Sequence, residues 1–486
     1  MNRREFSRNL ILGAGALAGS RVNASQPESN SDAFYQEPSK ELPVRHFDVV
    51  VAGAGTAGVV AALAAARNGA NTMLIESKGY PGGTAVEGGT ALHSYYNLWK
   101  AFPGAEKRQV VKGIAQEIVD RLLKVGGTTG HAEMDKGYDY DSVCTAIDTE
   151  LYKLETFKML DKAGVFTAMN TRLVDAIVED SHVKGVITES RSGREAIFAK
   201  TFIDCTAYGD LSAFAGADFS EPNDYPVCNS IGLANVDIDN YYKFLKSYNA
   251  VGQLARGLRS GDKDQIVRLS GHSVDMPEEY REKARKIGMS GTTTTVHDNY
   301  LMFIKLNIKM PVSPTNRDAV SKTELELRKR QWQAVQLFRE FVPGCENAFM
   351  ARTSPSLNIR RGRLITCDYD MLLDDVINAR HFDDEVMVYG FHDSAPRLQI
   401  KGGGTYGIPY RALRVANIDN LLAAGMLITS DHEAHMSTRN TVCCMGQGQA
   451  AGTAAALCAR KNIGTRDLAY GTLRDQLEKD GVYFES

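Results

Sequence analysis

The chain has 486 residues, 24% of them charged, and a formal net charge of −3 with both signs mixed. That length suits two or three domains with a large buried core, and the charge balance leaves no basic face for a nucleic-acid partner. No apolar run is long enough to cross a membrane, and the eight cysteines have neither C-x-x-C nor zinc spacing, so most are expected to be buried apolar residues.

The first segment reads as an address. Asn2-Arg3-Arg4-Glu5-Phe6, the apolar run Leu10 to Ala18, and Val22-Asn23-Ala24 follow the order of a twin-arginine export signal: an arginine pair, an apolar stretch and a small-residue cleavage site. Residues 1–24 are expected to direct the folded chain through the twin-arginine translocon to the periplasm, with polar residues 25–46 as a linker. The spacing Gly13, Gly15, Gly19 in this stretch has no strand before it and no acid after it.

The organising stretch is Phe47 to Ser77, FDVVVAGAGTAGVVAALAAARNGANTMLIES. The β-branched run Asp48 to Ala52 predicts a buried strand. Gly53, Gly55 and Gly58 then stand at G-x-G-x-x-G spacing, an alanine-rich helix runs to Gly69, and a second strand, Asn71 to Ile75, ends at Glu76. This is a βαβ opening for a dinucleotide. Gly53 permits the tight turn, Gly55 admits a pyrophosphate, Gly58 lets helix and strand close, and Glu76, about 20 positions on, accepts from ribose hydroxyls.

The glycine pair Gly82-Gly83, followed by Thr84, suits backbone approach to a bulky flat ligand. His93, in the aromatic stretch that follows, is either a packed or solvent-facing histidine or a weak candidate for covalent cofactor attachment. Helices are predicted over Val110 to Val125 and Leu151 to Ala163. A β-meander is predicted over Arg172 to Val178, Val183 to Glu189 and Ala196 to Ile203, running into Thr206-Ala207-Tyr208-Gly209-Asp210 beside the cofactor. Between about Phe214 and Gln399 the glycine patterning fades. Tyr300 to Ile308 predicts a strand, and Arg317 to Val342 an amphipathic helix whose packing stripe is Trp332, Val335, Phe338 and Val342. The nucleotide domain resumes with Asn420 to Gly425, and Gly446-Gln447-Gly448-Gln449 is expected to open a helix whose N–H groups face a flavin or phosphate.

These residues together carry a family likeness. VVVAGAGTAG, Glu76 with Gly82-Gly83, FIDCTAYGD, GIPYRAL and NLLAAGMLITSDHEAHMSTRNTVCCMGQGQAAGTAAA resemble the FAD-dependent oxidoreductases whose nucleotide fold is shared with glutathione reductase and succinate dehydrogenase flavoproteins. More narrowly, they resemble a bacterial family met in exported, carbohydrate-related settings. The resemblance implies an α/β fold: a Rossmann-like FAD-binding domain of the glutathione reductase type at 47–213 and 400–486, with an inserted β-meander, and an α+β substrate or cap domain at 214–399. It implies FAD held by Gly53, Gly55, Thr56, Ala57 and Gly58, by Glu76 and Ser77, by Gly82, Gly83 and Thr84, by Val174 and Thr206, and by Gly425, Gly446, Gly448 and Gln449. Two departures stand out. Ala207-Tyr208 replaces the family's Gly-Asp pair, and Met426 stands where the family often has arginine.

Flavin carries the electrons, so the candidate catalytic groups are those able to move a proton or hold charge. Arg439, with His432 or His435, is expected to face the flavin's reactive ring. The two histidines otherwise hold the loop, and Arg439 could equally contact the flavin. Arg361 or Arg360 is expected to anchor substrate, with His392-Asp393 and Tyr406 ranked below. The expected activity is hydride transfer between FAD and a small polar compound, sugar-like or hydroxy-acid-like, with an unidentified electron acceptor. The alternatives are reduction of an activated C=C bond, or a flavin electron relay without organic substrate. A tRNA-modifying role is disfavoured by the export signal and the missing basic face.

Overall fold

The computed structural model describes residues 37–89, 91–97, 105–136, 142–271, 275–393 and 398–485. Residues 1–24, the expected leader with its own glycine spacing, lie outside the described residues, as do the first part of the expected linker and the side chain of His93.

The first layer grows from Val44–Ala52, which runs into the Gly53 turn and the helix Thr56–Arg67. Thr72–Ile75 returns parallel to it, and Gly193–Asp204 lies parallel on its other side. Phe166–Ala168 pairs with Thr72–Ile75, and Leu421–Ala423 pairs with the end of Gly193–Asp204, both parallel. The register brings Ala52, Ile75, Ala168, Asp204 and Ala423 to one level. In open parallel sheets the crevice beyond such carboxyl ends is where ligands bind. The first half of Gly193–Asp204 pairs antiparallel with His182–Ser190, which pairs with Arg172–Glu179.

A parallel sheet is apolar on both faces and needs cover. Thr56–Arg67 supplies one layer, and Thr441–Lys461 packs directly on that helix. Small residues permit the approach: a Cβ on Gly448 would stand 2.2 Å from the Ala57 carbonyl oxygen, and one on Gly452 2.1 Å from that of Ala61. The expected helix start at Gly446 is therefore corrected. The helix begins at Thr441 behind Asn440, and Gly448 and Gly452, one helical turn apart, serve helix–helix contact inside it.

The second sheet is antiparallel, in the order Phe349–Thr353, Val227–Ala234, Tyr300–Ile308, Thr293–Thr294, Asp262–Gly271, Val251–Arg259, Ala132–Lys136, Val143–Ala146, Ala91–His93. Its core spans Val227 to Leu357, whereas the first core runs from Val49 to Ala217 and again from Ile365 to Leu477. The division thus differs from the expected 214–399 at both ends. Ile365, Met371 and Val386 bury in the nucleotide core, and the 91–146 region lends three strands to the cap sheet.

The helix Arg317–Phe341 buries Leu327, Gln331, Ala334, Val335 and Phe338. Trp332, expected in that stripe, is 52% exposed. One residue's rotation separates it from Gln331, whose amide donates to Asn229 Oδ1 at 2.5 Å, and its indole lies against the Arg339 guanidinium instead. All eight cysteines are free and buried.

Candidate active site

A cavity of about 930 Å³ opens between the carboxyl edge of the first sheet and the second sheet, near the upper end for small-molecule sites. Residues that directly follow the level strand ends line it: Gly53, Glu76, Cys205, Thr206, Ala424 and Gly425. Gly53 turns at φ +94°, and a Cβ there would meet the Cys205 carbonyl oxygen at 2.5 Å. A Cβ on Gly58 would fall 1.7 Å from the Gly53 carbonyl oxygen, while one on Gly55 would meet nothing within 4 Å. Gly58 therefore closes the turn from behind, and Gly55 leaves open the space in front of the helix.

Glu76 is fixed by its own surroundings. Its Oε2 accepts from Ala54 N–H at 2.9 Å, and its Oε1 from Ser77 Oγ and Lys78 N–H. Thr56, Ala57, Ser77, Gly83 and Thr84 also line the cavity. Gly82 sits just behind it, at φ +119° against Val86 and Tyr152. On the Arg172–Glu179 strand the lining residues are Arg172 and Leu173 with the preceding Thr171; Val174, the expected contact, is not among them.

Two helix N-termini point their first turns at this cavity. Gly55 precedes one and Asn440 the other, and neither residue caps its helix with a side-chain hydrogen bond. Gly55, Thr56, Asn440 and Thr441 all line the cavity. Uncapped N–H groups of this kind seek an acceptor and carry partial positive charge. A pyrophosphate at the first and a flavin carbonyl oxygen at the second match this donor set, so the residues present fit FAD. The second N-terminus lies at Asn440-Thr441, not at the expected Gly446. Gly446 packs on Met387, Gly448 on Ala57, and the Gln449 amide bonds Ile114 N–H and the Asp480 carbonyl. The useful amide of that segment is Gln447, whose Oε1 accepts from Gly425 N–H at 2.8 Å and holds the Gly425 turn at φ +115°.

At Thr206-Ala207-Tyr208 the departure from the family pattern has a local consequence. Ala207 takes φ +67°, where glycine is at ease. The turn is imposed by the fully buried Asp204, whose carboxylate receives Thr206 N–H and Oγ1 and Ser212 N–H and Oγ.

The far end of the cavity is cationic. Arg439, Arg360 and Lys305 line it together with the carboxylate of Asp393. Arg439 ion-pairs with Asp393, and Arg360 lies 3.9 Å from the same carboxylate. Both guanidinium groups lie over the Tyr225 ring, that of Arg360 5.0 Å and that of Arg439 5.1 Å from its centroid. Among the described residues Arg439 Nε is buried with no hydrogen-bond partner, as is Asn358 Nδ2 on the cavity wall.

The other expected catalytic groups lie off this wall. His435 is buried, and its Nε2–H donates to the Met426 carbonyl at 3.0 Å. Burial, with the charges of Arg439 and Arg361, pushes its pKa well down, so the ring is neutral and holds the Met426 turn. His432 bonds Asp224 at 2.8 Å, and Arg361 pairs with the same aspartate at 3.1 Å while donating to the Ser430 carbonyl. Asp224 thus ties His432 and Arg361 into one brace beside Tyr225. His392 bonds the Glu433 carbonyl, and Tyr406 bonds Ser437 Oγ. Sequence reasoning missed Lys305 and Tyr225. The signal for Lys305 was a lysine two positions from Phe303 inside an otherwise apolar strand.

Strand-end glycines, an acid at the second strand and two uncapped helix starts over one cavity define a dinucleotide-binding α/β oxidoreductase. Residues 48–477 match the family described as FAD dependent oxidoreductase; the chain belongs to that family, and its cofactor is FAD. It is 32% identical over 148 residues to the tRNA uridine 5-carboxymethylaminomethyl modification enzyme MnmG of Alkaliphilus metalliredigens, covering 30% of this chain and 22% of that enzyme. It is 26% identical over 198 residues to the digeranylgeranylglycerophospholipid reductase of Methanosarcina acetivorans, covering 40% of this chain and 47% of that enzyme. These matches span less than half the length of either relative. Among solved structures, a geranylgeranyl bacteriochlorophyll reductase-like protein of Thermoplasma acidophilum aligns over 90% of this chain and 83% of its own, with 14% identity and a TM-score of 0.49.

Proposed function

We propose that this flavoenzyme transfers a hydride between FAD and a small hydroxy acid, with the substrate held at the Arg439–Arg360 end of the cavity. The observation that carries the reading is the charge at that end: Arg439 and Arg360 both approach Asp393, and Lys305 lies within their electrostatic reach, so that the described residues there carry more cations than anions. An excess of cations favours a further anion, and a planar guanidinium can take a substrate carboxylate through two parallel hydrogen bonds. Tyr225, its ring beneath both guanidinium groups, keeps them in place. FAD, held by the Gly53–Gly58 turn, Glu76 and the Asn440-Thr441 helix start, supplies the two-electron chemistry. This chain's own residues bind and orient the acid and screen it from water.

The nucleotide fold is of the glutathione reductase type in this reading, supported by the antiparallel hairpin that extends the parallel sheet at Gly193–Asp204. Export through the twin-arginine pathway to the periplasm rests on Arg3-Arg4 and the apolar run after them. The net charge of −3 favours a small-molecule substrate over nucleic acid.

The test is anaerobic mixing of the FAD-loaded protein with 2-hydroxy acids, uncharged polyols, enoates and quinols. Hydroxy acids should bleach the oxidised flavin, and Arg439→Ala should retain FAD while losing about 10²-fold or more in turnover. Bleaching by polyols alone would remove the anionic-substrate reading. Reoxidation of the reduced protein by enoates, without reduction by any hydroxy acid, would turn the assignment to C=C reduction.

A further inference from the structure

The strand Tyr300–Ile308 carries Phe303 and Lys305, and both line the cavity. Its pairing with Val227–Ala234 is irregular where Ile231 opposes Ile304 and Leu233 opposes Leu301. Phe303 stands there at φ +70°. A bulky residue in that region is strained, and such strain persists where surrounding structure enforces it, often at functional sites. The bulge re-aims this stretch of strand toward the cavity.

Lys305 lies in register with Ser230 on one neighbouring strand and Ser290 on the other, and it has no hydrogen-bond or ion-pair partner among the described residues. The leading charged and titratable groups that act on it, among the described residues, are Arg360, Cys228, Arg439 and Asp393. Arg439 and Asp393 are engaged with each other. An amine in a cavity wall whose neighbouring carboxylate, Asp393, is already paired with Arg439 suits proton transfer rather than a structural salt bridge.

Resting on the reading of the Arg439–Arg360 end as the substrate end, we propose that Lys305 is the acid–base residue that takes the hydroxyl proton of the substrate during oxidation. The O–H bond breaks with its proton passing to the neutral amine, which becomes an ammonium. The C–H bond breaks with its electron pair leaving as hydride, for which bound FAD would be the two-electron acceptor, and the C=O bond forms between the same carbon and oxygen. The ammonium then releases its proton to solvent, so one turnover yields an oxo acid, one proton and two-electron-reduced cofactor. In the reverse direction the ammonium returns the proton to the nascent alkoxide. Burial, followed by the Arg360 and Arg439 charges, pushes Lys305 down to about 8, which places a usable fraction of neutral amine at physiological pH.

The experiment uses the FAD-loaded full chain. Competitive acetylation with acetic anhydride over a pH series reads the ionisation of Lys305 directly, independent of turnover. Half-maximal reactivity near pH 8 is expected, with protection by a saturating 2-hydroxy acid. Lys305→Met should keep its flavin absorbance and lose about 10²- to 10⁴-fold in kcat. The rise in kcat/KM through pH 8 should disappear, and small primary amines should restore part of the rate. Lys305→Arg, which keeps the charge but not the releasable proton, should preserve KM more nearly than kcat. Turnover of Lys305→Met within about threefold of wild type, with an unchanged pH profile, overturns the assignment and leaves the hydroxy-acid reading standing. Acetylation of Lys305 only at the pH of ordinary surface lysines also overturns it. If wild type oxidises polyols and not acids, the anionic-substrate reading falls, and the same pH profile on the polyol decides Lys305. If wild type turns over neither, both fail.

Discussion

Gly448 and Ala57 touch backbone to backbone: a Cβ on Gly448 would stand 2.2 Å from the Ala57 carbonyl oxygen. Ala57 lies in the first turn behind the Gly53–Gly58 loop and lines the cavity. The contact therefore couples the C-terminal helix to the position of the dinucleotide turn. Gly448→Ala should push the helices apart and destabilise the fold by about 1–3 kcal/mol, the usual cost of overpacking. Its apparent FAD affinity should weaken as well. Urea unfolding with and without added FAD measures both, and an unchanged midpoint would show that the helices separate freely.

Gly55 and Gly58 share a motif but should fail differently. Gly55 has φ −70° and open space at its Cβ position. Gly55→Val should fold with native far-UV circular dichroism yet purify colourless, its side chain occupying the pyrophosphate approach. Gly58→Ala places its methyl 1.7 Å from the Gly53 carbonyl oxygen and should fail to accumulate as folded protein. A yellow Gly55→Val protein with normal flavin content would refute the placement.

Ala207, at φ +67°, carries a strain that glycine lacks. A left-handed conformation costs an L-residue about 1–2 kcal/mol, part of which glycine returns through its greater freedom when unfolded. Ala207→Gly should stabilise by about 0.5–1 kcal/mol without loss of FAD, read as a raised denaturation midpoint.

Asp148 caps the helix Thr149–Lys162 through Glu150 and Leu151 N–H groups, and its other oxygen meets His297 Nε2 at 2.5 Å. The hydrogen bond to Asp148 raises His297 above its ordinary pKa of 6.5. A raised histidine stabilises fully below its unfolded pKa, and that contribution is lost as pH rises through the folded value. The melting temperature should therefore fall above about pH 6.5 by an increment that is absent in His297→Gln. Parallel pH–melting curves for the two proteins would contradict this.

The precursor with Arg3→Lys and Arg4→Lys should remain in the cytoplasm if the leader works through the twin-arginine route. Unchanged periplasmic yield in cell fractionation would discard the export proposal.

Local pattern alone determined the nucleotide-binding half of this protein. The β-branched run before Gly53, the G-x-G-x-x-G spacing and Glu76 act within one βαβ unit, and glycine is dictated there by turn geometry and close approach between near neighbours in the chain. The meander at 172–204 and the helix at 317–341 were legible for the same reason, since their periodicity is local. Tertiary structure alone decided the use of the C-terminal glycines, because Gly448 and Gly452 answer to a helix nearly 400 residues earlier in the chain. It alone turned His432 and His435 away from the cavity, through Asp224 and the Met426 carbonyl. It alone brought Lys305, Tyr225 and Arg360 to Arg439. Charge–charge and packing partners so far apart in sequence leave no periodic trace, and their chemistry appears only when the two sheets close over one cavity.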